Sequence, residues 1–330
     1  MPSNDNRSES ATAVKPVLDE SDEKISVVLP AFNEAGNVEP LLAKIHKVFE
    51  RLQLQGEVVL INDGSTDGTS SIARQCVSRY PYLRVYDHLK NMGLTKALSR
   101  GFEEAEGNII IFLCADLQSD PEEDIPKLLE GIAKGADVVV GWRQGRRETK
   151  RFGSKIYNLI SRILFDVKVH DQNWIKAFRK DFVEDLILRS DWHRFMVALA
   201  EHKGFKVVEV KTNWYPRTYG QTKFGFMRIP IAISDMLVLK AEMMFIEKPM
   251  RFFGSMGAVS FILGMGIIMT LLVLKHCFHI LLTEYTRLQY FLLSILLLLA
   301  GFGLSALGIL GEFMASNFEK VFKHHKKEKR

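Results

Sequence analysis

Asp116 and Gln118 stand two residues apart where the apolar run Ile109-Ile110-Ile111-Phe112-Leu113 gives way to Cys114-Ala115-Asp116-Leu117-Gln118-Ser119-Asp120-Pro121. The run has the length of a buried strand, and its abrupt end in acids, an amide and a proline places the Asp116 carboxylate at a strand's C-terminal tip. In an open α/β sheet, ligands bind at that tip. An acid and an amide so spaced can reach one hard cation, and such a cation commonly bridges a diphosphate. The same segment also suits a solvated turn with a helix N-cap at Ser119-Asp120-Pro121-Glu122, so the motif alone leaves both readings open.

Cations suited to phosphate follow farther along. Arg143, Arg146, Arg147, Lys150, Arg151 and Lys155 have Ser154 among them, and a helix over 150–164 sets Arg147, Arg151 and Ser154 on one flank at spacings of four and three. Guanidinium groups beside a hydroxyl suit a phosphate, and they equally suit a solvated basic face near an anionic bilayer. Pro216-Arg217-Thr218-Tyr219-Gly220-Gln221-Thr222-Lys223-Phe224 reads as a cationic, aromatic loop. The amphipathic run after it, Phe226 to Ile246, suits a membrane interface or a neighbouring subunit.

A sheet must position these groups. Short apolar runs at 25–29, 58–61, 83–86, 109–113 and 138–140 alternate with amphipathic stretches such as Val38-Leu41-Leu42-Ile45-Val48-Phe49, whose spacing marks one buried helix face. That rhythm predicts a parallel sheet flanked by helices, with a further strand at Val207 to Val210. The strand ends carry Asn33-Glu34, Asp63-Gly64-Ser65-Thr66-Asp67, Asn91 and Asp116-Gln118, which together describe a nucleotide-sized crevice. The turn from Asn62 to Gly68 is neither a Walker loop nor a GxGxxG fingerprint, and any strand-to-helix turn uses Gly and Asp.

The 47% hydrophobic content of the 330 residues is concentrated near the C-terminus. Phe252 to Leu274 and Leu288 to Gly311 carry no formal charge, and about 20 apolar residues suffice to cross a hydrocarbon core, so two transmembrane helices are expected. Lys320, Lys323, Lys326, Lys327, Lys329 and Arg330 follow the second span, and Lys240, Lys248 and Arg251 precede the first. This asymmetry places both termini in the cytoplasm, joined outside by a loop around Lys275 to Arg287. The net charge of +5 therefore reads as topology and lipid attraction, with no aromatic-interleaved basic stripe to suggest nucleic acid. The polar first residues have no apolar core of a signal peptide and read as a disordered tail. Cys76, Cys114 and Cys277 form no zinc or redox spacing, which suits a reducing compartment. The expected domains are a tail (1–23), a catalytic α/β domain (24–225), amphipathic interfacial helices (226–250), the two spans (251–312) and a basic cytoplasmic tail (313–330).

These residues resemble the family-2 inverting glycosyltransferases of GT-A fold. More narrowly they are similar to the polyisoprenyl-phosphate glycosyltransferases, relatives of dolichyl-phosphate mannose synthase and bacterial undecaprenyl-phosphate enzymes with C-terminal membrane helices. Val27-Val28-Leu29-Pro30-Ala31-Phe32-Asn33-Glu34 resembles the family's Pro-Ala-Tyr-Asn-Glu nucleotide segment. Asn62-Asp63-Gly64-Ser65-Thr66-Asp67 resembles its Asp-Asp-Gly-Ser-x-Asp turn, which gives Asp63 the base or ribose contact. Asn91-x-Gly93 and Asp116-Leu117-Gln118-x-x-Pro121, the metal loop, fit as well. By the same likeness Arg143, Arg151 and Ser154 fall where the acceptor phosphate is held. Arg217, Gly220, Thr222 and Lys223 resemble a loop that closes over donor diphosphate and acceptor, and Asp171 to Arg179 resembles the segment beneath the sugar, where Trp174 and Ile175 are unusual. Cys114 stands where the family generally has the first Asp of Asp-Ala-Asp, and a neutral thiol is a poor ligand for Mg²⁺ or Mn²⁺.

The resemblance implies transfer of a sugar from a UDP- or GDP-linked donor to dolichyl or undecaprenyl phosphate at the cytoplasmic face, with inversion at the anomeric carbon. A divalent cation, Mg²⁺ or Mn²⁺, is implied, held by Asp116 and Gln118 jointly with the donor diphosphate. Asp116, Asp171, Arg217 and Lys223 are the expected catalytic groups. Two alternatives share the donor site: a membrane polysaccharide or glycolipid synthase, against which stands the lack of a Gln-x-x-Arg-Trp motif, and a non-catalytic nucleotide-sensing scaffold. Gly254-x-x-x-Ala258 and Gly301-x-x-x-Ser305 permit helix association and a homo-oligomer.

Overall fold

Strands covered on both faces need no polar alternation, and the central ones here are continuous apolar runs. In the computed structural model, which describes residues 24–145, 159–165, 167–186, 188, 192–217, 228–277 and 283–328, β1 (Lys24–Ala31), β2 (Gln55–Asn62) and β4 (Ile109–Phe112) lie at the centre of one sheet. With β3 (Leu83–Asp87), β5 (Val138–Gln144), β6 (Lys176–Arg179) and β7 (Val207–Asn213), the seven-stranded order is β3-β2-β1-β4-β6-β5-β7. Every pairing is parallel except those of β6, which runs antiparallel to both β4 and β5. β6 was not expected, and its insertion makes the sheet mixed. The tail at 1–23, and Arg151, Ser154 and Lys223, lie outside the described residues.

Helices α1 (Ala35–Leu52), α2 (Thr69–Cys76), α3 (Leu94–Glu104) and α4 (Pro121–Ala133) connect the parallel strands. α5 (Lys180–Glu184), a 3₁₀ turn (Trp192–Phe195) and α6 (Met196–His202) follow β6. The apolar spacing of α1 works as expected: Val38, Leu41, Leu42, Ile45, Val48 and Phe49 are its buried face. α4 begins on a side-chain cap, with the Asp120 carboxylate accepting from the Glu122 N–H at 3.0 Å and Pro121 opening the helix. The N-cap reading of the Asp116 segment holds, and the cap follows directly on the strand tip.

Inside that first turn, Asp124 is 1% exposed and its Oδ1 has no partner, while Oδ2 accepts from the Asp120 N–H at 3.2 Å. Burial pushes its carboxyl up to about 7, so the fold prefers the protonated acid. The unfolded chain ionises earlier, so stability declines as pH rises from the ordinary carboxylate range to about 7 and stays lower above it. Asp124→Asn should therefore gain stability relative to the parent between pH 5 and pH 8. Urea midpoints measured at both pH values check this, and an unchanged difference would count against it.

At the opposite end of the sheet from the site, the buried Glu57 carboxylate accepts from the Ser26 hydroxyl at 2.6 Å, the Glu106 N–H at 2.7 Å and Arg84 Nη1 at 2.8 Å. Ser26 Oγ in turn accepts from the Gly107 N–H at 2.8 Å. Burial raises the Glu57 pKa, but the three donors outweigh it and hold the carboxyl below its usual range. Its contribution is thus present above the unfolded pKa and lost as pH falls through the folded one. Glu57→Ala strands these donors and should cost roughly 2–3 kcal/mol, read as a lower urea midpoint at pH 7.

The chain divides into two compact units, Met1–Pro230 and Ile231–Arg330. α7 (Arg228–Glu247) begins at the boundary, and α8 (Pro249–His276) and α9 (Glu284–Glu328) follow in the second unit. Pro249–His276 and Glu284–Ser316 are each long and apolar enough to cross a membrane, with mean hydropathy 2.4. They form an antiparallel hairpin along a seam of small residues: a Cβ on Gly257 would lie 2.5 Å from Ser305 Oγ, and one on Gly264 would lie 2.9 Å from Ser294 O. The Gly301 and Ser305 spacing is used within the chain. Ser260 Oγ also donates to Leu297 O at 2.8 Å, an interhelical bond suited to an apolar medium.

Candidate active site

The tips of β1 and β2 are laced into one platform. Beyond Pro30 and Phe32, Asn33 donates its N–H to Ser65 Oγ at 2.9 Å and accepts the Thr66 N–H on Oδ1 at 2.9 Å. Glu34 donates its N–H to Thr69 Oγ1 at 2.9 Å, and Ala35 its N–H to Asp67 Oδ2 at 3.1 Å. Asn33 sits at φ 57°, a left-handed conformation that an Asn tolerates and that tends to occur at functional sites.

Asp63 is the hinge of this platform. Its N–H donates to Ala31 O at 2.8 Å, and its carboxylate binds the chain beyond β3: His88 Nδ1 at 2.8 Å and the Met92 N–H at 2.9 Å on Oδ1, the Gly93 N–H at 2.8 Å on Oδ2. The expected base or ribose contact of Asp63 thus falls on a carboxylate already serving as a loop anchor. Gly64 must be glycine here, because a Cβ would lie 2.3 Å from the Lys90 carbonyl carbon and its φ is 68°. Asn91, at the loop's middle, is exposed.

Asp116 lies just beyond β4 and is 7% exposed. Its Oδ2 accepts from Arg217 Nη2 at 2.7 Å and Nε at 3.1 Å, while Oδ1 accepts from the Gln118 N–H at 3.2 Å across a turn with Leu117 at φ 54°. The structure therefore brings together two expected residues a hundred positions apart in sequence. Gln118 is anchored as well: its Oε1 accepts from Trp214 Nε1 at 3.3 Å and its carbonyl from the Tyr215 N–H at 3.0 Å. Burial raises the Glu34 carboxyl above its usual range; the Asn37 hydrogen bond opposes this, Asp116 adds to it, and Arg217 opposes it. Glu34, Asp116 and Arg217 thus share one electrostatic field.

Deeper in the unit, Arg143 and Asp171 form a bidentate pair, Nε to Oδ2 at 2.5 Å and Nη2 to Oδ1 at 2.8 Å. The guanidinium lies over the Trp174 ring, 4.6 Å from its centroid. Trp174 is therefore a platform for a cation, an answer to its odd place in the segment. Gly141 leaves the room: a Cβ there would lie 2.8 Å from Trp174 Cδ1.

Two further groups at the site, one buried and one half-buried, were missed in the sequence. Lys176 on β6 is 1% exposed, donates to Trp174 O at 2.7 Å, and burial lowers its pKa to about 8. His193, held by Thr95 Oγ1 at 2.8 Å, is driven by burial down to about 3 and is neutral. A lysine wedged in Trp174-Ile175-Lys176-Ala177-Phe178 was the available signal. Burial, then Asp116, push the Cys114 thiol up to about 12, and Arg143, Lys176 and Arg217 act on it in the opposite sense. The thiol is protonated, and Asp116, Arg143, Lys176 and Arg217 all act on it electrostatically. Among the described residues no group of three or more His, Cys, Asp or Glu could hold a metal unaided.

A mostly parallel sheet with this tip geometry, one antiparallel strand and acids after β4 defines a GT-A type glycosyltransferase fold. The chain belongs to glycosyl transferase family 2, whose model matches residues 26–201. It is 29% identical over 321 residues, covering 93% of each chain, to a dodecaprenyl-phosphate galacturonate synthase of Rhizobium johnstonii. It is 29% identical over 302 residues, 90% of this chain and 86% of the other, to an undecaprenyl-phosphate 4-deoxy-4-formamido-L-arabinose transferase of Pseudomonas paraeruginosa. Among solved structures, it shares its fold with glucosyl-3-phosphoglycerate synthase from Mycobacterium tuberculosis in complex with Mn²⁺, UDP and phosphoglyceric acid, at TM-score 0.54 and 18% identity, over 66% of this chain and 78% of that one.

Proposed function

We propose that the protein transfers a sugar from a nucleotide diphosphate donor to a polyprenyl phosphate, with its catalytic unit and both termini on the cytoplasmic side of the membrane. The observation that carries this reading is the near full-length similarity to two polyprenyl-phosphate sugar transferases, in a chain with two candidate spans of its own. The platform at Asn33, Glu34 and Asp63 receives the nucleotide. Arg217, and Lys223 outside the described residues, offset the donor diphosphate charge, while Arg143, joined by Arg151 and Ser154, receives the acceptor phosphate. Guanidinium geometry leaves Arg143 Nη1 on the edge away from Asp171, where a phosphate oxygen can approach.

A phosphate monoester is largely dianionic at neutral pH, its second pKa being about 6, so it attacks the anomeric carbon without a dedicated base. Asp171 then holds Arg143, with no proton to take. In-line attack inverts the anomeric centre. The site fits a divalent cation held jointly with the donor, since Asp116 offers one carboxylate, Gln118 an amide oxygen, and Cys114 only a neutral thiol. Such an ion, when bound, stabilises the leaving diphosphate.

Incubation of detergent-solubilised protein with labelled UDP- and GDP-sugars and undecaprenyl or dolichyl phosphate tests the reading. Label in a lipid-soluble, single-sugar product is the expected result. Polymer in its place indicates a polysaccharide synthase, and nucleotide binding without product indicates a sensing scaffold.

A further inference from the structure

Glu209 lies on β7 opposite Val140 of β5, and its side chain is 14% exposed. Its Oε1 accepts two backbone N–H groups, those of His170 at 2.7 Å and Asp171 at 3.1 Å, and its Oε2 is 2.7 Å from His170 Nδ1. The His170 ring is stacked on Trp142 with centroids 4.1 Å apart and planes 11° from parallel, and Lys211 Nζ lies 5.6 Å from the Trp142 centroid. The stretch 167–175 has no helix or strand, so side chains fix its path. A carboxylate drawn from water to bind two consecutive N–H groups is an expensive fastening for a loop, and the residue it fastens is Asp171.

We infer that Glu209 is a positioning residue for the acceptor phosphate, acting through Asp171 on Arg143. The inference rests on the proposed role of Arg143. The path is short and continuous: Glu209 sets the backbone of Asp171, the Asp171 carboxylate grips Nε and Nη2 of Arg143, and Trp174 supports the guanidinium from below. A fork paired at 2.5 and 2.8 Å has little tolerance, so a displacement of Asp171 by ~1 Å turns the guanidinium away from the phosphate. Glu209 touches neither reactant. Its removal should weaken acceptor binding and leave donor binding alone.

The test uses full-length protein in detergent, with a short-chain prenyl phosphate as acceptor probe and a nucleotide sugar as donor. Glu209→Ala is expected to raise both the Kd and the KM for prenyl phosphate by on the order of tenfold, with donor KM and kcat near those of the parent, while the melting temperature falls because the loop's donors lose their acceptor. Glu209→Gln keeps an oxygen for the two N–H groups and should restore most of the affinity. If Glu209→Ala does not fold, Glu209→Asp, whose shorter arm cannot span both partners, takes its place with the same expectation. Parent-like prenyl phosphate affinity in the variant overturns the inference, as does a loss shared equally between donor and acceptor. The parent protein separates the two claims: prenyl phosphate binding without sugar transfer defeats the proposed reaction while the affinity ratio still decides Glu209. Absence of prenyl phosphate binding by the parent defeats both.

Discussion

Asp116→Asn should lower turnover by on the order of a thousandfold while leaving the fold intact. The carboxylate sits at the tip of β4, 7% exposed, and it is the acid that both Arg217 and the Gln118 N–H address. An asparagine keeps the shape and one acceptor oxygen, so the Gln118 turn survives. What disappears is the negative charge paired with Arg217 and proposed to draw a cation to the donor diphosphate. The thiol of Cys114 cannot replace it, being protonated with its pKa pushed up to about 12. Initial rates at saturating donor and acceptor, with thermal melts on the same preparations, check both halves. A variant that keeps more than about a tenth of the turnover removes Asp116 from the chemistry.

Arg217→Ala should be nearly as severe, with a loss of roughly a hundredfold or more in kcat/KM for the donor. Arg217 offers Nε and Nη2 to one carboxylate oxygen, and that fork is what a diphosphate oxygen also recognises. Arg217→Lys retains the charge and loses the fork, and its expected deficit is about tenfold. The ordering is the informative part. Equal activity of the lysine and alanine variants means that the charge itself contributes nothing, whereas equal activity of lysine and parent means that the geometry contributes nothing. The melting temperature of Arg217→Ala should fall as well, because the 7% exposed Asp116 carboxylate loses its cation.

The parts of this fold that could be read from sequence share a physical cause. β1, β2 and β4 are buried on both faces, so they appear as unbroken apolar runs, and their polar tips stand out against them. β6 did not stand out because its four residues, Lys176 to Arg179, begin and end in cations, and one of those cations is buried. The structure pairs Asp116 with Arg217 and Asp171 with Arg143, and neither partnership was legible in the sequence. Arg143 pairs with Asp171 across 28 positions and Asp116 with Arg217 across 101, and no local spacing encodes such meetings. Asp63 illustrates a different gap. The family resemblance gives it a nucleotide contact, and the fold gives the same carboxylate three donors from the 88–93 loop.

That anchoring has an evolutionary corollary. The loop is pinned to one carboxylate at its start by His88 and at its end by Met92 and Gly93, while Leu89 is wholly exposed and Asn91 exposed. Its middle, Leu89 to Asn91, can therefore vary in sequence with little disturbance to the frame, as an antibody loop varies on its sandwich. Grafting alternative tripeptides between fixed ends offers a way to vary the proposed nucleotide platform without touching Asp116.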